Sequence, residues 1–245
     1  MNETQSEYTF DLPKNEVHLW HCRFDANKDN MEAFKRILSK DEIEKASGFK
    51  FDVHREQSII SRGVLRILLG KYLQQPPRSV SFGYSEFDRP FLKGNSNLQF
   101  NVSHSGNRSV FGFVQNAEIG VDIEKLKSDF EVMDIAQNFF SSDEIQTLQA
   151  LPENQKVAGF FRCWTRKESF IKAKGSGLSF SLTSFSVSLN LDNAKLLRTD
   201  WKLTEKEEWR LFSFEPEIGY IGALSIRGNI DRVYYSNWDV ISHSF

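Results

Sequence analysis

A chain of 245 residues with 40% hydrophobic and 13% aromatic residues can build one large or two small domains, each with a real core. Its 31 Lys and Arg stand against 33 Asp and Glu, a net charge of -2, which excludes the global basic footprint of a sequence-independent nucleic-acid binder. The start "MNETQSEYTFDLPK" lacks the pattern of a signal peptide, no apolar run is long enough to span a bilayer, and Cys22 and Cys163 form neither a disulfide framework nor a metal-ligand spacing, so the expectation is a reduced, cytoplasmic protein away from membranes.

In chain order, a strand is predicted around Val17 to Trp20, then a helix with Met31, Phe34, Ile37 and Leu38 on one side. "SKDE" from Ser39 has capping-box spacing and starts a short helix closed near Gly48. A long helix follows from about His54 to Gln74, stopped by Pro76 and Pro77. After a strand near Val80 to Tyr84 and an irregular loop, "FNVSHSGNRSVFGFVQNAEIGVDIEK" reads as a three-stranded antiparallel meander turning at "SGN" and "QNA". The second half repeats the style. A helix carries Val132, Ile135, Ala136 and Phe139, "SSDE" opens another at Ser142, and a long helix runs from about Asn154 to Lys174, ended by Gly175. "FSVSLNL", "EWRLFSF" and "YIGALSI" then alternate as strands. The predicted fold is α+β, a pseudo-twofold pair of similar lobes over residues 1–117 and 118–245, each a small antiparallel sheet packed with helices.

Chemistry concentrates in two stretches. The meander gathers Ser103, His104, Asp122 and Glu124 at one end of a small sheet. The two carboxylates lie two residues apart on one strand face, roughly 6.5 to 7 Å between Cα atoms. A hard divalent cation would relieve their repulsion, although such a pair taken alone is more often a solvated face. On the second long helix, Val157, Phe161, Trp164 and Ile171 form an apolar stripe, and the missing member of that stripe is Glu168. A carboxylate there calls for a metal or cation, and Lys172 lies one turn on. Arg55, Arg62 and Arg66 share a stripe of the first long helix and could hold phosphate or pair with neighbouring acids; Arg66, deep in the helix, fits the structural role. Lys45 and Arg89 add positive charge nearby.

"IGVDIEK" and "FFRCWTRKESFIKAKGSGLSF" closely resemble the two signature blocks of the 4′-phosphopantetheinyl transferases of the surfactin-synthetase-activating type. The second fits W-[ST]-x-K-E-[SA]-x-x-K through Trp164, Thr165, Lys167, Glu168, Ser169 and Lys172, while "FNVSHSG" and "DRPFL" match two further blocks. The resemblance implies transfer of 4′-phosphopantetheine from coenzyme A to a serine of an apo acyl or peptidyl carrier protein, by a monomer with its site between the lobes. It implies Asp122, Glu124 and Glu168 as ligands of Mg²⁺ (or Mn²⁺). Lys172 would contact the pyrophosphate and protonate the leaving group. Lys45, Arg89, Asn101, Ser103 and His104 would hold coenzyme A, with Arg55 offsetting a segment less basic than in relatives. Glu168 and Glu144 are both implied as candidate catalytic bases, with Asp122 beside them. Two other readings stay open on the residues alone, a metal-dependent phosphohydrolase of a nucleotide-like pyrophosphate and a non-catalytic coenzyme A- or carrier-binding module.

Overall fold

A computed structural model describes residues 10–94, 96–127, 131–175 and 181–241. The strand β1 (Glu16–Arg23) is buried on both faces, as its run of apolar residues requires. After a 3-10 turn comes α1 (Met31–Ile37), then α2 (Lys40–Ser47), which opens on the anticipated capping box: the Glu42 carboxylate accepts the Ser39 N–H at 2.9 Å. Both pack on α3 (Asp52–Tyr72). The strand expected near Val80 to Tyr84 forms as β2 (Phe82–Tyr84), and the stretch after it, expected to be irregular, returns as β3 (Pro90–Leu92) to make a hairpin. Its turn is closed by Ser85, whose hydroxyl accepts the Phe87 and Arg89 N–H groups at 3.2 Å and whose own N–H meets the Arg89 carbonyl at 2.9 Å.

The strands β4 (Leu98–Ser105) and β5 (Arg108–Gln115) pair as expected, and β5 continues onto β1. The third strand, β6 (Ile119–Lys125), does not complete a meander. It leaves for a second sheet, ordered β6-β10-β9, with β9 at Trp209–Phe214 and β10 at Tyr220–Arg227. Two glycines make that departure possible. At Gly112 of β5 a Cβ would come 2.8 Å from Val121 Cγ1, and at Gly120 of β6 one would come 2.0 Å from the Ser169 carbonyl oxygen. Bare backbone therefore lets β6 slide between the first sheet and a long helix, with Ile119, Val121 and Ile123 buried. The expected neighbours Ser103 and Asp122 still meet, because β6 lies alongside β4: Asn101 Oδ1 accepts the Val121 N–H at 2.8 Å.

The second half comprises α4 (Val132–Phe139), α5 (Ser142–Gln149), α6 (Glu153–Lys174), β7 (Phe185–Val187), β8 (Leu196–Thr199) and the short α7 (Glu205–Glu208), followed by β9 and β10. The chain then returns to the first half. The strand β11 (Arg232–Asn237) runs parallel to β1, giving a sheet ordered β11-β1-β5-β4, and α8 (Trp238–Ile241) buries Trp238 in the first core with its indole N–H on Asn27 Oδ1 at 2.8 Å. The architecture is α+β, small mostly antiparallel sheets packed with helices. One apolar core fills each half, and a third, with Val17, Val110 and Val114 facing Val121, Leu224 and Ile226, welds the two sheets together.

Both halves repeat one device. In the first, Arg66 Nε of α3 meets the capping-box carboxylate of Glu42 at 2.7 Å, its Nη1 donates to the carbonyls of Pro77 and Val80 at 3.0 and 2.9 Å, and the guanidinium lies over Phe82. In the second, Lys167 Nζ of α6 meets the capping-box carboxylate of Glu144 at 2.8 Å, donates to the carbonyls of Leu182 and Phe185 at 2.9 and 2.7 Å, and lies over Phe185. Each buried cation, partnered on several sides, ties a short helix, a long helix and the segment after it.

Candidate functional site

The amphipathic face of α6 packs on β6, and Gly120 sets how closely. That approach carries the ammonium of Lys172 to Asp122 Oδ1 at 2.6 Å and to Ser103 Oγ at 2.9 Å, while Ser103 Oγ itself donates to Asp122 Oδ1 at 2.9 Å. Residues of β4, β6 and α6, from both halves, thus converge on one point. Glu124, two residues on from Asp122, accepts the Ser105 hydroxyl at 2.6 Å. Glu168, one turn before Lys172, lines a cavity of about 230 Å³ with Arg89, Asn101 and Lys172. Burial raises the carboxyl of Glu168 above its usual range, and the charges of Asp122 and Glu124 add to that while Lys172 opposes it. Burial raises Glu124 in the same way, its Ser105 hydrogen bond acting against the shift.

A second cavity, of about 300 Å³, shares Pro90 and Val102 with the first and is lined by Lys45, His54, Gln57, Arg62 and His104. The His104 imidazole is held below its usual range, first by desolvation of the ring and then by the nearby Lys172 and His54 charges. Arg62 keeps a buried Nη1 without a hydrogen-bond partner at this wall.

Glu168, Lys172, Asn101 and Arg89 therefore line the first cavity and Lys45 and His104 the second, with Asp122 and Ser103 joined to the first through Lys172. Three of the expected residues are engaged otherwise than the sequence suggested. Arg55 pairs with Asp52 at 2.6 Å and with the Phe49 carbonyl at 3.3 Å, and lines neither cavity. The α3 face that meets the second cavity runs through His54, Ser58, Ser61 and Leu65, with Arg62 at its edge and Arg55 beyond it. Glu144 is buried at 1% exposure, one oxygen taken by the Val187 N–H at 2.7 Å and the other by Lys167 and the Ser141 N–H, so as a base it would have to break the lock of its own half. Arg89 donates to backbone carbonyls instead of standing free for phosphate: Nη1 to Lys172 and Ala173, Nη2 to Ile119 at 2.9 Å. His54 and Gln57 escaped the sequence reading; their i, i+3, i+7 spacing with Ser61 on the same helix face was the available signal.

The acids fit a divalent cation in chemistry. Asp122 Oδ2 is buried without a hydrogen-bond partner, and the carboxylates repel one another, both of which oxygen coordination of a hard cation relieves. In their present geometry, however, no three His, Cys, Asp or Glu side chains among the described residues stand together as a ligand set, and the cation touching Asp122 is Lys172.

Residues 118–225 match the model of the 4′-phosphopantetheinyl transferase superfamily, and residues 23–113 match that of the 4′-phosphopantetheinyl transferase N-terminal region. The chain is 33% identical over 220 residues to the 4′-phosphopantetheinyl transferase HetI of Nostoc sp. (strain PCC 7120), covering 89% of this chain and 90% of that one. It is also 33% identical over 168 residues to the 4′-phosphopantetheinyl transferase Sfp of Bacillus subtilis (strain 168), covering 68% and 73%. Among solved structures, the holo-[acyl-carrier-protein] synthase of Thermotoga maritima aligns with a TM-score of 0.36 at 17% identity, over 46% of this chain and 63% of that one.

Proposed function

Because this chain belongs to the 4′-phosphopantetheinyl transferase family, whose activity is transfer of phosphopantetheine to carrier proteins, we propose how its own residues carry out that transfer. Coenzyme A is the donor. Lys45, Arg62, Ser103 and His104 line or border the place for its phosphates, and Lys172 reaches the pyrophosphate. The hydroxyl oxygen of a carrier serine bonds to the β-phosphorus as the bond to the bridging pyrophosphate oxygen breaks. Glu168, which lines the cavity, takes the serine proton through a carboxylate oxygen left free of the cation. Lys172 gives a proton to the departing adenosine 3′,5′-bisphosphate. Asp122, Glu124 and Glu168 would hold Mg²⁺ or Mn²⁺, which when bound neutralises charge on the phosphates. The two lobes divide at residues 117 and 118, and the enzyme works in the cytoplasm as a monomer.

The observation that carries this reading is the convergence of Lys172, Asp122 and Ser103 from three separate elements at the mouth of the cavity that Glu168 lines. Incubation with coenzyme A, Mg²⁺ and an apo carrier protein, followed by intact mass spectrometry of the carrier, tests it. A gain of one phosphopantetheinyl group supports transfer. Breakdown of coenzyme A with an unmodified carrier would turn the reading to a phosphohydrolase.

A further inference from the structure

Arg89 belongs to the β2–β3 turn of the first half, yet its guanidinium ends on the second. Nη1 donates to the carbonyls of Lys172 and Ala173, and Nη2 to the carbonyl of Ile119. The first two belong to the last turn of α6, where the helix dipole is negative and the Lys172 carbonyl has the capping Gly175 N–H at 3.3 Å beside it, so a cation is favoured there. The third stands three residues before Asp122 on β6. One planar side chain therefore bridges the helix that carries Glu168 and Lys172 to the strand that carries Asp122 and Glu124. Arginine can do this because its fork directs two nitrogens at fixed angles, whereas lysine offers a single point charge.

The anchor behind the fork is firm. Ser85 closes the turn with its hydroxyl on the Phe87 and Arg89 N–H groups and its own N–H on the Arg89 carbonyl, so Arg89 supplies both an N–H and a carbonyl to that closure. Gly175, at φ 68° where the helix ends, packs so that a Cβ would lie 3.5 Å from Arg89 Nη1. Lys172 is thereby gripped at both ends, its carbonyl by Arg89 and its ammonium by Asp122 and Ser103. Asn101 adds a second tie of the same kind, accepting the Val121 N–H one residue before Asp122.

Taking the transfer reading above as its basis, we propose that Arg89 is a positioning residue that sets Lys172 and Glu168 of α6 in register with Asp122 of β6 by clamping their backbones, rather than a ligand of coenzyme A phosphate. A misplacement of about 1 Å in reacting groups costs on the order of 10²-fold in rate, so loosening this clamp should act on turnover.

The test is steady-state kinetics of the full chain with coenzyme A and an apo carrier, comparing wild type, Arg89→Ala and Arg89→Lys, with the thermal midpoint of each measured alongside. The clamp predicts that Arg89→Ala lowers kcat by roughly 10- to 100-fold while the KM for coenzyme A stays within about threefold. Arg89→Lys, which keeps the charge and loses the fork, should fail to restore kcat. Amide hydrogen exchange adds a readout independent of activity: residues 172–175 and 119–122 should exchange faster in both variants than in wild type. A KM for coenzyme A raised tenfold or more with kcat retained, and returned to normal by lysine, would make Arg89 a phosphate ligand and overturn the clamp. Unchanged kinetics and exchange in both variants would overturn it as well. Should Arg89→Ala fail to fold, the lysine variant alone decides between these outcomes. A wild-type chain that modifies no carrier would instead sink the transfer reading, and the exchange comparison would still judge the clamp.

Discussion

Asp122 is 4% exposed, one oxygen shared by Lys172 and Ser103 and the other without a partner. Replacing it with Asn keeps the shape and removes the charge that holds Lys172. Transfer to a carrier should fall at least ~10²-fold, the scale of losing a preorganised charged group. The thermal midpoint should drop only modestly, because Lys172 is 30% exposed on its side chain and water can take over; near-normal turnover would remove Asp122 from the chemistry. Glu168 was legible in the sequence because an acid interrupted an apolar stripe, a signal that helical periodicity alone supplies. Arg55 was misleading for the same reason. Periodicity put it in line with Arg62 and Arg66, but Asp52, three residues earlier, captures it at 2.6 Å. Arg55→Ala should therefore leave the KM for coenzyme A within about twofold, while Arg62→Gln, at the cavity wall, should raise it several-fold. Titrating coenzyme A against each variant at saturating carrier distinguishes the two, and the opposite ranking would restore Arg55 to the site.

Elements were easier to read than their partners. The capping box read from the spacing at Ser39 forms, and a second one, not read from the sequence, opens the helix that begins at Ser142, with Ser141 and Glu144 as its members. What no local pattern could show is that each box's glutamate also receives a cation from the middle of the following long helix, 24 residues on for Glu42 and Arg66. The departure of β6 was equally hidden. "IGVDI" alternates identically whether it pairs with β5 or β10, and only the long-range fit of Gly112 and Gly120 against Val121 and Ser169 chooses. The lock yields a prediction that separates structure from catalysis at Glu144. Glu144→Gln leaves the Lys167 ammonium buried at 0% side-chain exposure opposite a neutral amide. Removing one partner of such a pair costs about 3 to 5 kcal/mol. Urea denaturation should show that loss, and below the transition the folded variant should keep its kcat. A stable variant with abolished turnover would reinstate Glu144 as the base.

At the scale of the molecule, the halves are less separable than a division at residue 117 suggests, because the first half is finished by residues from the far end. The strand β11 supplies the edge of its sheet, Asp239 accepts the Arg23 N–H at 3.2 Å, and Trp238 fills its core at 1% exposure. Between them, β6 serves both halves, packing on β5 through Gly112 and on α6 through Gly120. Damage to the first core should therefore reach the site, since Ser103, Asn101 and Arg89 hold β6 and α6 from the first half. Trp238 is the sharpest place to apply that damage, lying far along the chain from every proposed catalytic residue. Trp238→Ala empties a large buried volume and strands the Asn27 carbonyl oxygen, at a cost of about 3 to 5 kcal/mol. If the halves unfold together, urea curves followed by far-ultraviolet circular dichroism and by transfer activity should shift to lower denaturant by the same amount, in one transition. If they are independent, the variant should show two transitions, the first-half helices melting early while α6 and its neighbours persist. Activity would then be lost with the earlier one, because β4 and the Arg89 turn would have let go of Lys172.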